Sequence, residues 1–167
     1  NMVPDSGLQE LINWDTSGSG WSLSAASSGE TFAGNRAVQF QGSFATAAGN
    51  TFYGQFLSKN IPVEAATPYT FSTVIDPWSG TTGTIAMVVV WYDKSGSEIS
   101  RTNTYADATS FLRQPVTRKL VSPTNAFWCK VGWRRGSDTG GGTLSGTVHC
   151  GDLSMRRAVG SDLIVDG

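Results

Sequence analysis

PYTFSTVI, at residues 68–75, decides the fold of this chain because it alternates between two kinds of side chain. The two alternating sets are Tyr69, Phe71, Thr73 and Ile75, and Thr70, Ser72 and Val74. A period of two is what a strand buried on one face requires. A second strand-like run, IAMVVVWY at residues 85–92, ends on the turn DKSG at residues 93–96. The two runs predict an antiparallel sheet.

Composition supports a single sheet-rich domain. The chain has 167 residues, enough for one self-sufficient core, with only 15% charged residues and 20 glycines. A net charge of -1 gives no electrostatic reason to expect nucleic acid or an anionic membrane surface as a partner. The apolar run at residues 85–92 is far shorter than a membrane span, so we expect no membrane insertion.

Strand-sized runs recur along the whole chain, at residues 21–23, 37–40, 51–59, 116–121, 127–134 and 146–155. Residues 8–12 are compatible with a helix but too few to form one alone. No ten-residue helical pattern and no internal repeat occurs. We therefore predict an all-β sandwich over residues 1–157, with residues 158–167 as a linker towards a following segment.

The two cysteines, Cys129 and Cys150, each lie in an alternating apolar run. They are too few for a disulfide-rich scaffold. They are either buried free thiols of the core, or a disulfide if their strands pair directly. A zinc site is not expected, because His149 is the only histidine and no CxxC spacing occurs.

Strand parity indicates a candidate binding surface in residues 127–135. One set is uniformly apolar and should face the core, and the other should face outward: Phe127, Cys129, Val131 and Trp133 against Trp128, Lys130, Gly132 and Arg134. Sugar-binding proteins use aromatic rings against apolar sugar faces and polar groups for hydroxyls. Trp128, Lys130 and Arg134 offer both, so they are candidate ligand contacts.

Two further aromatic residues are candidates. Parity places Met87, Val89 and Trp91 inward and Val88, Val90 and Tyr92 on the opposite face, which adds Tyr92 to the site. The loop DPWSG at residues 76–80 exposes Trp78 at a sandwich end, as an edge contact. Alternatives remain open: Trp128 could be covered by a loop or a partner subunit, Arg134 could be a solvated charge, and Trp78 could pack on its own loop.

Signatures of catalysis are absent from the sequence. His149 lies in the last predicted strand, and no Gly-x-Ser-x-Gly elbow presents a serine. A glycosidase needs two carboxylates facing one sugar, and the 13 acidic residues are scattered outside any recognisable motif. We expect no enzymatic activity, and a self-standing hydrolase is the weakest alternative.

Several motifs follow one another in a familiar order. The chain opens with NMVPDSGLQ at residues 1–9 and Trp14, continues with TPYTFS at 67–72 and WYDKSG at 91–96, and closes with GDLSM at 151–155. This order resembles the jelly-roll carbohydrate-binding modules of families 4, 9 and 22. The resemblance implies an antiparallel jelly-roll β-sandwich that binds glycan without catalysis.

The same resemblance bears on calcium. In that family, acidic residues of the opening phrase and of the last strand help to hold a structural calcium ion. Here Gln9 stands in the first position, and Gly151 and Asp152 replace the usual pair of aspartates. Calcium prefers several charged oxygen ligands. We therefore expect no cofactor, and Asp152 is either a plain surface or capping carboxylate or a remaining ligand.

The tail GSDLIVDG, at residues 160–167, resembles the phrase that follows such modules in tailed-phage host-specificity or central tail-fibre proteins. It implies a virion tail protein that recognises host-surface polysaccharide, within a homotrimeric fibre. Other interpretations stay open: the module of a secreted glycoside hydrolase, a spacer or trimerisation domain without a ligand, and a simple linker ending in a turn.

Overall fold

The computed structural model describes residues 1–4, 8–25, 32, 36–45, 52–78, 80–106, 113–136 and 143–158. In this part of the chain, one turn of 3-10 helix at Leu11–Asn13 is the only helical element. The strands are β1 (Trp14–Ser17), β2 (Trp21–Ala25), β3 (Arg36–Gln41), β4 (Phe44–Ala45), β5 (Phe52–Ser58), β6 (Ile61–Pro62), β7 (Pro68–Pro77), β8 (Thr84–Tyr92), β9 (Glu98–Ala106), β10 (Gln114–Val121), β11 (Trp128–Gly136), β12 (Thr143–Leu144) and β13 (Thr147–Arg157).

Two antiparallel sheets form a sandwich. The first has the order β1-β5-β11-β8-β9, with β6 paired to one end of β11, and the second has the order β10-β7-β13-β3-β2. Strands β4 and β12 form a small separate pair. Most neighbours within a sheet are distant in sequence, as in a jelly roll. The predicted antiparallel jelly-roll β-sandwich is confirmed. No helix in the described residues has the length and hydropathy of a membrane span.

The core fills the space between the sheets, and strand parity accounts for its members. In β7 every second residue is buried, as its sequence predicts. Strand β8 differs, because residues 85–91 are all buried. It lies between β11 and β9, and both of its faces are covered. A continuous apolar run is therefore the natural sequence for this strand.

One hydrogen-bonded chain links the two sheets through the core. The indole N–H of Trp133 on β11 donates to Thr73 Oγ1 on β7 at 3.0 Å, and this hydroxyl donates to the Gly151 carbonyl on β13 at 2.7 Å. Beside Gly151, β13 has a bulge in which Asp152 takes a positive φ of 52°. The buried polar groups thereby satisfy one another and fix the two sheets relative to each other.

Both cysteines are buried free thiols, as one of the two interpretations predicted. Cys129 lies on β11 of the first sheet, and Cys150 lies on β13 of the second. The Cys129 thiol approaches the Met155 sulfur at 3.6 Å. Burial raises the pKa of Cys129 to about 12 and raises the pKa of Cys150 as well. Both thiols therefore stay protonated, and unreactive, at neutral pH.

Native protein is expected to resist thiol labelling. At pH 8, a maleimide or disulfide reagent should modify neither Cys129 nor Cys150 until denaturant is added, because reaction requires both access and a thiolate. Mass spectrometry of the labelled chain, with and without urea, measures this. Rapid labelling of both thiols in the folded protein would contradict the core packing.

The predicted linker lies almost wholly outside the described part of the chain. The structure describes residue 158, and residues 159–167 fall outside it. The Ala158 N–H donates to the Pro68 carbonyl at 2.9 Å, which ties the end of β13 to the start of β7. The linker therefore stays a prediction.

Candidate functional site

Strand β11 presents its candidate residues on the outer face of the first sheet, away from the core. Cys129, Val131 and Trp133 belong to the core, and the alternating positions between them face the opposite way. The prediction that Phe127 faces the core is wrong, because this residue is 41% exposed. It precedes the strand and is held by a bond from its N–H to the Tyr92 carbonyl, so strand parity does not apply to it.

Aromatic side chains gather at one end of this outer face. Trp128 pairs directly with Tyr92 across β11 and β8. The ring of Phe127 meets that of Trp128 edge-on, with centroids 4.8 Å apart. The ammonium of Lys130 lies 5.7 Å from the centre of the Tyr92 ring, within cation–π range. Burial raises the pKa of Tyr92, so its hydroxyl stays protonated and can donate a hydrogen bond.

A carboxylate shared by two lysines borders the aromatic end. Lys130 Nζ lies 2.6 Å from Asp15 Oδ2, and Lys59 contacts Asp15 Oδ1. Partial burial alone would raise the pKa of Asp15, but the hydrogen bonds and charges of the two lysines outweigh it and lower that pKa. Because β1, β5 and β11 are consecutive, the Lys130 side chain must cross β5 to reach Asp15.

A second charged contact crosses the middle of the face. Arg101 on β9 holds Glu98 through two hydrogen bonds of 3.1 and 2.7 Å, and it donates to Gln55 Oε1 on β5 at 3.0 Å. Strands β9 and β5 are three strand spacings apart, about 14 Å. The side chains of Arg101 and Gln55 therefore meet above β8 and β11, the two strands that lie between them. The hydrogen bond from Arg101 lowers the pKa of Glu98.

Arg134 occupies the other end of the face. Its guanidinium donates to Asn103 Oδ1 on β9 at 3.3 Å, passing over β8. Burial, together with the nearby charge of Arg101, lowers the pKa of Arg134 to about 10. Tyr105, the neighbour of Ala86 on β9, is 58% exposed beside it. This end of the face therefore has an exposed aromatic ring of its own.

Beneath these crossing side chains lies a small apolar floor, formed by Leu57, Val88 and Val90. These three side chains belong to the outer face and are nevertheless buried, and Tyr92 packs against them. Gly132 lies between Leu57 and Val88 in the pairing of the strands, where a Cβ would overlap the backbone of β5. The face thus combines an apolar base with polar groups that can donate and accept hydrogen bonds.

Trp78 lies apart from the other candidate residues. It follows β7 of the second sheet, and its N–H donates to the Thr147 carbonyl at 2.9 Å. Its ring packs against the buried His149, with centroids 4.8 Å apart, and remains 44% exposed. The structure therefore unites Tyr92, Trp128, Lys130 and Arg134 on one face and separates Trp78 from them.

The positions that the resemblance connects with calcium are engaged by arginines. The Asp152 carboxylate lies 3.7 Å from Arg113, and the Gln9 carbonyl accepts a hydrogen bond from Arg36 at 2.9 Å. Within the described residues, no cluster of three or more histidine, cysteine or acidic side chains could hold a metal ion. Among the described residues, these two positions offer one carboxylate and one amide carbonyl, whereas calcium prefers several charged oxygens.

Sequence reasoning missed the residues that other strands bring to the outer face. They are Asp15 on β1, Gln55 on β5, and Glu98, Arg101, Asn103 and Tyr105 on β9. Strand β9 itself was not predicted, because its residues are mostly polar. The turn at residues 93–96 was the available signal, since a tight turn after a strand predicts a returning strand.

Comparison with known proteins gives a fold and no sequence family. No protein-family model matches the chain, and no curated protein matches its sequence. Solved structures are similar in fold at 10–16% identity, and they include carbohydrate-binding modules of families 4, 16 and 22. A family 16 carbohydrate-binding module has a TM-score of 0.61 and 10% identity, covering 94% of this chain and 100% of its own.

Two larger proteins contain a similar domain. The enzymatically active domain of tailspike protein 4 from bacteriophage CBA120 has a TM-score of 0.69 and 11% identity over 95% of this chain. A module pair of Clostridium thermocellum xylanase 10B, solved with xylohexaose, has a TM-score of 0.59 and 14% identity over 89% of this chain. The match spans 21% of the tailspike chain and 27% of the xylanase chain.

Proposed function

We propose that this chain is a non-catalytic glycan-binding domain whose ligand lies across the outer face of the first sheet. The observation that carries the proposal is the direct pairing of Trp128 with Tyr92, with the Lys130 ammonium beside the Tyr92 ring. Aromatic rings stack on the apolar faces of sugars, and ammonium and guanidinium groups donate to their hydroxyls. The other carbohydrate-binding modules of this fold make a sugar ligand the natural expectation.

The length of the face suits an extended saccharide. Tyr92 lies at one end of β8, and Ala86, six residues away, pairs with Tyr105. Six strand residues span about 20 Å, long enough for several consecutive sugars. Trp128 and Tyr92 would hold one end of the ligand, and Arg134 and Tyr105 the other. Between these two ends, Arg101 can donate hydrogen bonds, and Gln55 can donate and accept them.

The carboxylates of this face are unsuited to glycoside hydrolysis. A glycosidase needs a general acid whose pKa is raised, so that it is protonated near neutral pH. Lysines lower the pKa of Asp15 against the effect of burial, and a hydrogen bond from Arg101 lowers that of Glu98. Both carboxylates are therefore ionised at neutral pH. Binding without catalysis is the function that these groups support.

As the setting of this domain, we favour the tail tip or fibre of a phage, where it would bind a host-surface polysaccharide within a homotrimeric fibre. The match to a phage tailspike domain over 95% of the chain supports this setting. A module of a secreted glycoside hydrolase is the second candidate, supported by the match to the xylanase modules. Both settings use the same outer face.

Substitution of Trp128 tests the proposed site. We expect Trp128→Ala to abolish retention on host-surface polysaccharide in affinity electrophoresis, because it removes the central aromatic contact of the proposed site. Tyr92→Ala and Arg134→Ala should weaken retention in smaller steps. Circular dichroism should show an unchanged sandwich in each variant.

Trp78→Ala is the matched control. It removes an exposed tryptophan that follows β7 of the second sheet, so retention should stay at the level of the unmodified protein. If the folded Trp128→Ala variant is retained as well as this control, the outer face is not the site. A spacer or trimerisation domain without a ligand would then be the better interpretation.

A further inference from the structure

Two lysines at the aromatic end of the outer face share a single carboxylate. Lys130 and Lys59 contact different oxygens of Asp15. Each ammonium has three donors, and among the described residues each uses one of them on Asp15. Two positive charges thus face one negative charge, and donors remain available beside the Tyr92 ring.

The other carboxylate of the face does not offset this excess. Glu98 is held through both of its oxygens by Arg101. Arg134 adds a further cation near Arg101. Burial lowers the pKa of Arg134, and the positive charge of Arg101 lowers it further. Among the described residues that line the face, cations therefore outnumber carboxylates, whereas the whole chain has a net charge of -1. Positive charge is concentrated where the proposed ligand lies.

We infer that the outer face selects anionic polysaccharides, whose carboxylate or sulfate groups are received by Lys130 and Lys59 beside the Trp128–Tyr92 pair. The inference rests on the proposed function and specifies its ligand class. A sugar stacked on Trp128 or Tyr92 brings its substituents next to the Lys130 ammonium, 5.7 Å from the Tyr92 ring centre. Lysine binds an anion as a point charge, so carboxylate and sulfate are both suitable.

The test compares polymers that differ only in charge. Polygalacturonate is paired with its methyl ester, and dextran sulfate with dextran, in affinity electrophoresis of the whole chain. The charged member of at least one pair should retain the protein about tenfold better than the neutral one, the size of one charge-assisted hydrogen bond. Its advantage should decrease as salt is raised from 0.05 to about 0.5 M. The two pairs distinguish carboxylate from sulfate.

Three variants locate the charge effect. Lys130→Met should reduce retention on the preferred anionic polymer about tenfold, whereas Lys130→Arg keeps the charge and should keep retention. Lys119→Met removes a lysine from exposed β10 on the second sheet and should have no effect. Urea unfolding of each variant shows whether it is folded.

Asp15→Asn separates ligand binding from a structural role of the ion pair. It removes the competing carboxylate and releases both ammonium groups, so retention on the anionic polymer should rise several-fold. If the ion pair only holds the shape of the face, Asp15→Asn should instead lower retention.

The outcomes distinguish this inference from the proposed function. Equal retention on charged and neutral polymers, equal losses for Lys130→Met and Lys119→Met, or retention of none of the four polymers overturns the inference. If the protein binds a neutral glycan and Trp128→Ala abolishes that binding, the proposed function stands although the inference about anionic ligands fails. If Trp128→Ala leaves retention on every glycan unchanged, the proposed function fails too.

Discussion

Replacing Trp133 by alanine is expected to lower the free energy of unfolding by about 3–5 kcal/mol, the range for large-to-small changes in a core. Trp133 is fully buried and stacks on Trp14 with ring centroids 5.8 Å apart. It also donates the hydrogen bond that connects the first sheet to Thr73. The substitution therefore removes packing and the link between the sheets together. Urea unfolding followed by tryptophan fluorescence and circular dichroism measures the loss.

Two further variants separate the contributions. Trp133→Phe keeps most of the apolar volume and loses the N–H donor, so it should cost less, about 1–3 kcal/mol. Trp128 lies on the opposite face of β11 from Trp133. Trp128→Ala should therefore leave the midpoint of urea unfolding nearly unchanged. If Trp128→Ala unfolds the domain and Trp133→Ala is silent, the faces of β11 are inverted, since a slip of one residue exchanges them.

Strand parity explains which part of the site could be predicted from the sequence. Side chains alternate with a period of two, so the apolar residues Cys129, Val131 and Trp133 determine that Trp128 and Arg134 face outward. This inference needs only local sequence. Phe127 shows its limit, because the alternation ends where the strand ends, and the sequence places that boundary only to within a few residues.

The rest of the face depends on strand order, which no local pattern specifies. Asp15 meets Lys130 because β1, β5 and β11 are neighbours, although the two residues are 115 positions apart. Arg101 reaches Gln55 for the same reason, across 46 positions. Among the described strands, β9 pairs only with β8, and it is largely polar, so its contribution to the apolar pattern is small. Pairings of this kind emerge only from the packing of the whole sandwich.

Gly132→Ala is expected to destabilise the domain by about 3 kcal/mol, at the upper end of the cost of overpacking. A Cβ at this position would overlap the Phe56 carbonyl oxygen and lie 2.9 Å from Leu57 Cα. These are backbone atoms of β5, so no side chain can turn aside to make room. Chemical unfolding measures the loss. Gly96→Ala, in an open turn with a φ of 86°, should cost only about 1–2 kcal/mol from its left-handed backbone.

The same substitution also connects the fold to binding. To admit a methyl group, β5 must move away from β11, and β5 holds Gln55 and passes beneath the contact between Lys130 and Asp15. Folded Gly132→Ala molecules should therefore bind glycan more weakly although no ligand-contacting side chain has changed. Retention measured below the unfolding transition tests this. Full stability together with full retention would show that β5 and β11 are not in the close register on which the outer face depends.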